Sequence, residues 1–579
     1  MNWYRCLFLA GFVLVVAFGR TAQAQDAEPQ PVKYWIFLSD KLDAAGKATV
    51  VEAGYLTDRA LQRRMRRGTA RSSMTDAPLS PTYLSALRKL GITPLLESRW
   101  LNAVTARLDA RQAEAVATLP FVRAMRPVAR FTVPPEPEAG PVSEALAVPS
   151  ARKHTRLDYG QSLEQLETIN AVPALERDPP INGTGVIIGF LDTRYDLATG
   201  QHFDHRSLRH LVDSERLIEV RDFTEMDQQN YGRNQSSRHG MAVASVAVGF
   251  EEGQIVGPAY GAEVLAATTE FGQSDYERNS EEDNFVAGLE WLESQGVDVV
   301  NTSLGYNEFD LGERSYTQAE MDGDTGITTI AFDFAASLGV VVVSSAGNEG
   351  DDPWGIITTP ADGDSVIAVG AVTAARARIP FSGTGPTADG RIKPDVAAQG
   401  NSVFLASSNG DYNPNGSGTS FSSPIVAAVA AQMLQVNPDL GPIDVRDILR
   451  ETASQANNPD NLLGWGIINA DAAIKRAEQL FTATEAETPL PDAFAVMPPY
   501  PNPFSEETTF DVQVPARANF VRLSVYNLLG QRVDVPFEGA LNPGVHQIVF
   551  RAASLPSGVY LYKLESNGVT RSGKMVLMR

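Results

Sequence analysis

The middle of this 579-residue chain is predicted to be a doubly wound α/β domain on a mostly parallel sheet, with a small α/β unit before it and an antiparallel β-sandwich after it. Three observations predict this. Between about 158 and 480, continuous apolar runs alternate with helix-like stretches, as strands buried on both faces do. Two Pro-rich stretches set that segment apart: 133–149 holds five prolines, and six more lie between Pro489 and Pro503. Beyond the second, short alternating strands are separated by Gly and Pro turns. The length itself exceeds the ~250–300 residues that one core organises.

Residues 1–24 carry Arg5, a 14-residue apolar run from Cys6 to Gly19, and Ala22-Gln23-Ala24, the layout of a secretory signal peptide. The run is shorter than the ~20 residues that cross a bilayer, which disfavours an anchor. Its removal takes Cys6, the only cysteine, and with it any disulfide, thiolate zinc site or cysteine nucleophile.

Segment 25–132 has strand-like stretches at 33–38, 101–108 and 121–128 with helix-like sequence between them. Its 17 Lys+Arg and 10 Asp+Glu give +7, against −22 for the whole chain and −31 for 133–579. Opposite charges of that size can attract one another; a solvated basic face centred on ALQRRMRR (60–67) is the equal alternative. The acidic balance speaks against nucleic acid as a partner. A linker follows at 133–157, and another at 481–494.

In the central segment, strands are expected at 185–192, 262–268, 297–303, 339–346 and 366–372. Helices are expected near 239–248, 283–295, 328–338, 420–435 and 442–452. Sites in parallel sheets collect at the carboxyl ends of strands. Asp192 closes the first strand, His239 opens a helix, Asn348 follows the fourth strand in SSAGNEG, and Ser420 precedes a long apolar helix. Singly, each is an ordinary turn or cap residue. Together they supply a nucleophile, a base, a carboxylate to orient the base, and an oxyanion donor. Gly416 and Gly418 let the backbone approach a ligand, the helix N-terminus at Ser420 offers N–H groups, and Pro424 suits a first helical turn. His202, His205 and His210 share a loop but lack helical zinc spacing.

The strings around these residues resemble the subtilisin-like serine peptidases: FLDT at Asp192, HG…VAS at His239, VNTSLG (300–305), SSAGNEG (344–350), FSGTGPTADGRIKPDVAAQG (381–400), SGTSFSSP (417–424) and GWGIINADAA (464–473). The resemblance covers about 160–480. It implies a secreted serine endopeptidase acting on polypeptides through an acyl-enzyme, with Ser420 as nucleophile, His239 as base and acid, Asp192 as its orienter, and Asn348 with the Ser420 N–H as the oxyanion hole. It implies that Ser303, Leu304 and Gly305 pair with the substrate backbone, and that Ala346 and Gly347 wall the pocket before the scissile bond, which reads as apolar. Two positions depart from the pattern: Arg194 stands in Asp-Thr-Arg and Met241 in His-Gly-Met. Arg194 is expected to face solvent, the alternative being a salt bridge with Asp192. No cofactor is required. Such enzymes often bind structural calcium, and loops 349–354 and 361–364 offer oxygen ligands, though no EF-hand spacing is present.

Segment 25–132 resembles the pro-segment of such peptidases, which implies an intramolecular inhibitor cut away within about 131–157. Strands at 508–514, 520–527, 544–550, 558–565 and 572–578 form the last unit, 495–579. Its strings PYPNPF (499–504), VYNLLGQRV (525–533), LPSGVYLYKLE (555–565) and GKMVLMR (573–579) resemble the type IX secretion sorting domain. That implies export across the outer membrane of a Gram-negative cell to the surface or medium; a binding β-module is the alternative. For the whole chain the alternatives are a catalytically silent surface binding protein on the same fold, and an esterase. The order Asp, His, Ser disfavours the esterase.

Overall fold

The inner strands of the central sheet are buried at nearly every position because they have a helix layer on both sides. Ile188 and Phe190 face one layer, Ile187 and Leu191 the other. The computed structural model describes residues 31–132, 156–485 and 495–577, apart from 53, 70–72, 129, 198–200, 225–237, 271–278, 308–314, 497–498, 500–501, 503, 515–519, 542–543, 553–554 and 567–568. The signal-peptide region, nearly all of the first linker and 486–494 of the second fall outside the described residues; 481–485, expected as linker, continue a helix that runs Ala470–Glu485. No helix among the described residues is long and apolar enough to cross a membrane.

The N-terminal unit comprises β1 (Val32–Leu38), α1 (Asp58–Arg66), α2 (Pro81–Lys89), β2 (Leu96–Ser98), β3 (Ala103–Leu108), α3 (Ala110–Ala117) and β4 (Val122–Pro127). The helices start where sequence chemistry says they should. Thr57 accepts from Ala60 N at α1, Ser80 with Pro81 opens α2, and Asp109 and Gln112 form a capping box at α3. The four strands form an antiparallel sheet, β2-β3-β1-β4. One face holds a core of its own, with Ile36, Leu87, Val104 and Leu108. From the other face Trp35 joins the core of the central domain, as does Trp100 from the β2–β3 turn. β5 (Arg130–Thr132) leaves this sheet.

The central domain begins with α4 (Leu163–Thr168) and α5 (Val172–Leu175), then β6 (Ile187–Asp192), α6 (Arg209–Asp213), β7 (Leu217–Asp222) and α7 (His239–Val248). Next come β8 (Phe250–Glu251), β9 (Ile255–Val256), β10 (Glu263–Thr268), β11 (Asn279–Glu281), α8 (Glu282–Gln295), β12 (Val299–Thr302), α9 (Ile327–Ser337), β13 (Val341–Ser345), β14 (Ile367–Val372) and β15 (Val396–Gln399). The domain closes with β16 (Asn401–Ala406), β17 (Tyr412–Ser417), α10 (Thr419–Val436), α11 (Pro442–Glu451) and α12 (Ala470–Glu485). Seven strands form a sheet in the order β15-β14-β13-β12-β6-β10-β7, every pair parallel. α7, α10 and α12 cover one face, α8 and α9 the other. β7 and β15 are the two edges, and neither is an apolar run in sequence. β7 is LIEVRD, half exposed, and β15 is VAAQ.

The C-terminal unit holds β18 (Ala495–Val496), β19 (Glu507–Val514), β20 (Val521–Tyr526), β21 (Arg532–Gly539), β22 (Gly544–Arg551), β23 (Gly558–Ser566) and β24 (Val569–Leu577). They form two antiparallel sheets, β18-β19-β22 and β21-β20-β23-β24, around Phe510, Val512, Leu523, Val525, Phe550 and Leu564. β21 is the strand that the sequence pattern hides, since its residues are only half buried and include Pro536.

Candidate active site

From β6 the chain first builds outward through β7 and β10, then crosses to β12 on the other side. That reversal opens a crevice at the carboxyl end of β6. Asp192 ends β6, fully buried, and His239 is the first residue of α7. His239 Nδ1 lies 2.7 Å from Asp192 Oδ1, which also accepts Thr193 N at 2.6 Å. A carboxylate can only accept, so Nδ1 carries the proton and Nε2 keeps its lone pair.

The loop after β6 holds the start of α7. Thr193 Oγ1 accepts Gly240 N at 3.1 Å, and Arg194 O accepts Met241 N at 3.1 Å. A Cβ on Gly240 would meet Thr193 O and Tyr195 Cε1, both at 2.9 Å, so only glycine permits this approach. Arg194 turns neither to solvent nor to Asp192. Its Nε and Nη2 each bind the fully buried Asp196 at 2.8 Å, and Arg238 Nε lies 4.0 Å from the same carboxylate. The Arg194 guanidinium holds the Asp196 carboxyl below its ordinary range against the opposing effect of burial.

Ser420 is the second residue of α10, two residues past the N-cap rather than at it. Gly418 is the N-cap, with φ +148°. The ring of Phe421 lies 5.8 Å from that of His239, which sets the imidazole beside this first turn. Ser420 Oγ donates to Ser303 O at 3.2 Å. Asn348 Oδ1 accepts Thr419 N and Thr419 Oγ1, each at 2.9 Å, so its amide nitrogen faces the other way. A Cβ on Gly418 would sit 3.6 Å from Asn348 Nδ2, 3.7 Å from Ser420 N and 3.8 Å from Asn348 Oδ1, so the Asn348 side chain and the Ser420 N–H lie near the same turn. Pro424 lies inside α10, not in its first turn. Lacking an N–H, it cannot bond Ser420 O, and that carbonyl accepts Ser303 Oγ instead, at 2.8 Å.

Ser303, Leu304 and Gly305 follow β12 directly, and Ser303 makes both bonds to Ser420. Ala346 and Gly347 follow β13, where Gly383 N bonds Gly347 O at 3.0 Å. A Cβ on Gly347, at φ +93°, would meet Glu349 Oε2 and Thr358 Oγ1. This wall therefore has polar neighbours as well as the apolar cluster of Ala346, Ile357 and Ala368.

Sequence reasoning missed two features. Glu270, two residues past β10, is fully buried and accepts Tyr306 OH at 2.7 Å. Burial pushes its carboxyl well above the usual range, and the Asp192 carboxylate adds to that shift. β11 is the other: β5 pairs with it antiparallel, Arg130 to Glu281 and Thr132 to Asn279. β11 runs directly into α8, whose acids at 283, 290 and 293 share one helical face, a spacing visible in the sequence.

His205 and His210 are structural. His205 bonds Ser207 and Asp411 O, each at 2.8 Å. His210 bonds Val248 O at 2.9 Å and Arg216 at 2.8 Å, and burial lowers its pKa to about 4. No three His, Cys, Asp or Glu groups among the described residues converge as metal ligands. In the loops considered for calcium, Asp352 accepts Trp354 N, and Asp362 accepts Gly323 N and Thr329 Oγ1. Both carboxylates are engaged within the protein.

Comparison with known families agrees with this geometry. Residues 183–466 match the subtilase family, 33–139 the peptidase S8 propeptide domain of Bacteroidota, and 499–578 the secretion system C-terminal sorting domain. Among characterised proteins, subtilisin DY of Bacillus licheniformis is 37% identical over 191 residues, 32% of this chain and 61% of that protein. Subtilisin E of Bacillus subtilis is 36% identical over 191 residues, covering 44% of its length. Serine protease AprX of Bacillus subtilis is 27% identical over 329 residues, 53% of this chain and 70% of that protein. The chain thus spans between 44% and 61% of the two subtilisins it matches.

Proposed function

This chain carries a subtilase-family domain between an S8 propeptide domain and a secretion sorting domain, and from that premise we propose that it is an exported serine endopeptidase made as a zymogen. The observation that carries the reading is the 2.7 Å bond from His239 Nδ1 to Asp192, set beside the first turn of α10, which carries Ser420.

In this mechanism Ser420 Oγ turns from Ser303 O to His239 Nε2, gives up its proton there and attacks the peptide carbonyl. Negative charge develops on the carbonyl oxygen, where Asn348 Nδ2 and Ser420 N donate to it. Asp192 stabilises the imidazolium, which then protonates the leaving amine. Water hydrolyses the acyl-enzyme by the same path reversed. The substrate lies extended along 303–305, and the pairing of β5 with β11 supports a second track for it on the opposite side. Segment 25–132 is the inhibitor, severed from the enzyme when the stretch at 131–157 is cut. The sorting domain addresses the chain across the outer membrane.

Intact mass with and without a fluorophosphonate tests this. The wild type should lose its N-terminal segment and gain one label. Ser420→Ala should stay full length and unlabelled. If both stay whole and unlabelled when folded, even after an added protease cuts the linker, the chain is a silent relative that binds without cutting.

A further inference from the structure

The basic run at 60–67 is no solvated face. α1 lies across the carboxyl ends of α8 and α9, where a helix leaves its last carbonyls without partners. Arg63 Nη1 donates to Val297 O at 2.6 Å and Glu293 O at 3.3 Å. Thr57 N donates to Ser294 O at 3.0 Å. Arg67 donates to Gly339 O, and Thr69 Oγ1 to Leu338 O at 3.4 Å. Carboxylates complete the site. Arg59 pairs with Asp298 at 2.6 Å, Arg63 pairs with Glu293, and Arg64 bridges Glu293 at 2.7 Å and Asp76 at 2.9 Å. Arg63, Arg64, Asp76 and Glu293 are all at most 3% exposed. Gly296 and Gly339, at φ +95° and +91°, end the two helices. A Cβ on Gly296 would meet Arg59 Cγ at 2.5 Å, so the backbone itself makes room for α1.

We propose that the carboxyl ends of α8 and α9 form a separate guanidinium-binding site, whose occupant is α1, and that this site holds the N-terminal segment on the enzyme independently of β5. This rests on the reading of 25–132 as a pro-segment. β5 pairs with β11 at three residues, whereas α1 with its C-cap Arg67 offers four arginines matched to carboxylates and to helix-terminal carbonyls. Cutting the linker frees the tail and leaves this arginine clasp closed. Departure of the segment then requires the ionic contacts of α1 to break, as well as those its sheet makes with α8.

The test uses the full chain with Ser420→Ala, a cleavable sequence placed within 133–149, and an added protease. Native mass spectrometry follows dissociation of the cut segment. In about 0.1 M salt, deleting 130–132 should change the dissociation rate less than about threefold. Arg59→Gln with Arg67→Gln should raise it at least about tenfold and weaken its dependence on salt. Arg63→Met and Glu293→Gln should act alike; should either fail to fold, the Arg59 and Arg67 pair at the rim still decides. Release on deleting 130–132, or retention by the arginine variants, overturns the proposal. Because Ser420→Ala has no nucleophile, the result stands whether or not the wild type becomes labelled, so the clasp and the peptidase reading can fail separately.

Discussion

Two cations stand at the N-terminus of α7, the end where a helix least tolerates them. Arg194 and Arg238 both face the buried Asp196, and the next residue in the chain after Arg238 is His239. Asp196 therefore cancels charge that would otherwise oppose protonation of the imidazole, and it ties the loop carrying Asp192 to the helix carrying His239. Asp196→Asn should lower kcat/KM about tenfold, mostly in kcat, since geometry is lost around groups that react rather than groups that bind. With two unbalanced guanidinium groups nearby, the imidazolium is disfavoured, so the acid limb of kcat/KM should move to lower pH by some tenths of a unit or more. Adding Arg194→Gln restores the net charge and should return the limb toward its wild-type position. A limb that stays put in Asp196→Asn would show that the carboxylate supports the loop without touching the electrostatics of the site.

α8 shows how much of an element its sequence discloses. Its bounds are legible from EEDNFVAGLEWLESQ, where apolar positions face the sheet and acids head the first turn. So were the positions of Asp192, His239 and Ser420, because each stands beside a strand end or helix start that short strings mark. The role of the acidic face was not legible, since acids on a helix usually mean solvent. Their partners lie some 170 to 250 residues away. Lys33 meets Asp283 at 2.7 Å, Thr105 Oγ1 meets the same carboxylate at 2.8 Å, and Ser98 Oγ and Arg99 N donate to Glu290. Nor could sequence show that Arg194 would choose Asp196, a matter of loop geometry. Glu290 carries a consequence for pH. Burial under the N-terminal segment raises its pKa from 4.5 to about 7, against the hydrogen bonds from Ser98, Arg99 and Trp100. Once uncovered it returns to the ordinary value, so docking takes up a proton. The raised pKa means this contribution is whole below about pH 4.5 and is lost as pH rises through 7. In the cut Ser420→Ala complex, dissociation should accelerate at least about tenfold between pH 5 and 7. Glu290→Gln should flatten that rise, and an equal rise in the variant would assign it to other groups.

At the scale of the whole molecule the chain is three cores with unequal ties. The first two are joined: Trp35 and Trp100 belong to the same apolar cluster as α8 and α9, and Trp100 packs on Phe334 at 5.0 Å. An N-terminal segment bonded in this way completes the outer layer of the central domain. The C-terminal sandwich is different. Phe510, Val512, Leu523, Val525, Phe550 and Leu564 form a cluster that shares no residue with the other cores. A domain closed on its own core adds nothing to the folding cooperativity of its neighbour unless a large apolar interface couples them. Ending the chain after Glu485 should therefore leave the melting temperature of the catalytic domain and its rate of fluorophosphonate labelling within about twofold of the full chain, because α12 is kept whole. The same truncation should stop export, with the signal peptide still carrying the protein through the inner membrane and the mature enzyme accumulating in the periplasm. Fractionating cells that express each form, then measuring label per molecule in each fraction, separates the two effects. Loss of labelling in the truncated enzyme would mean that the sandwich supports the catalytic fold. Full export without it would mean that 495–579 is a binding module rather than an address.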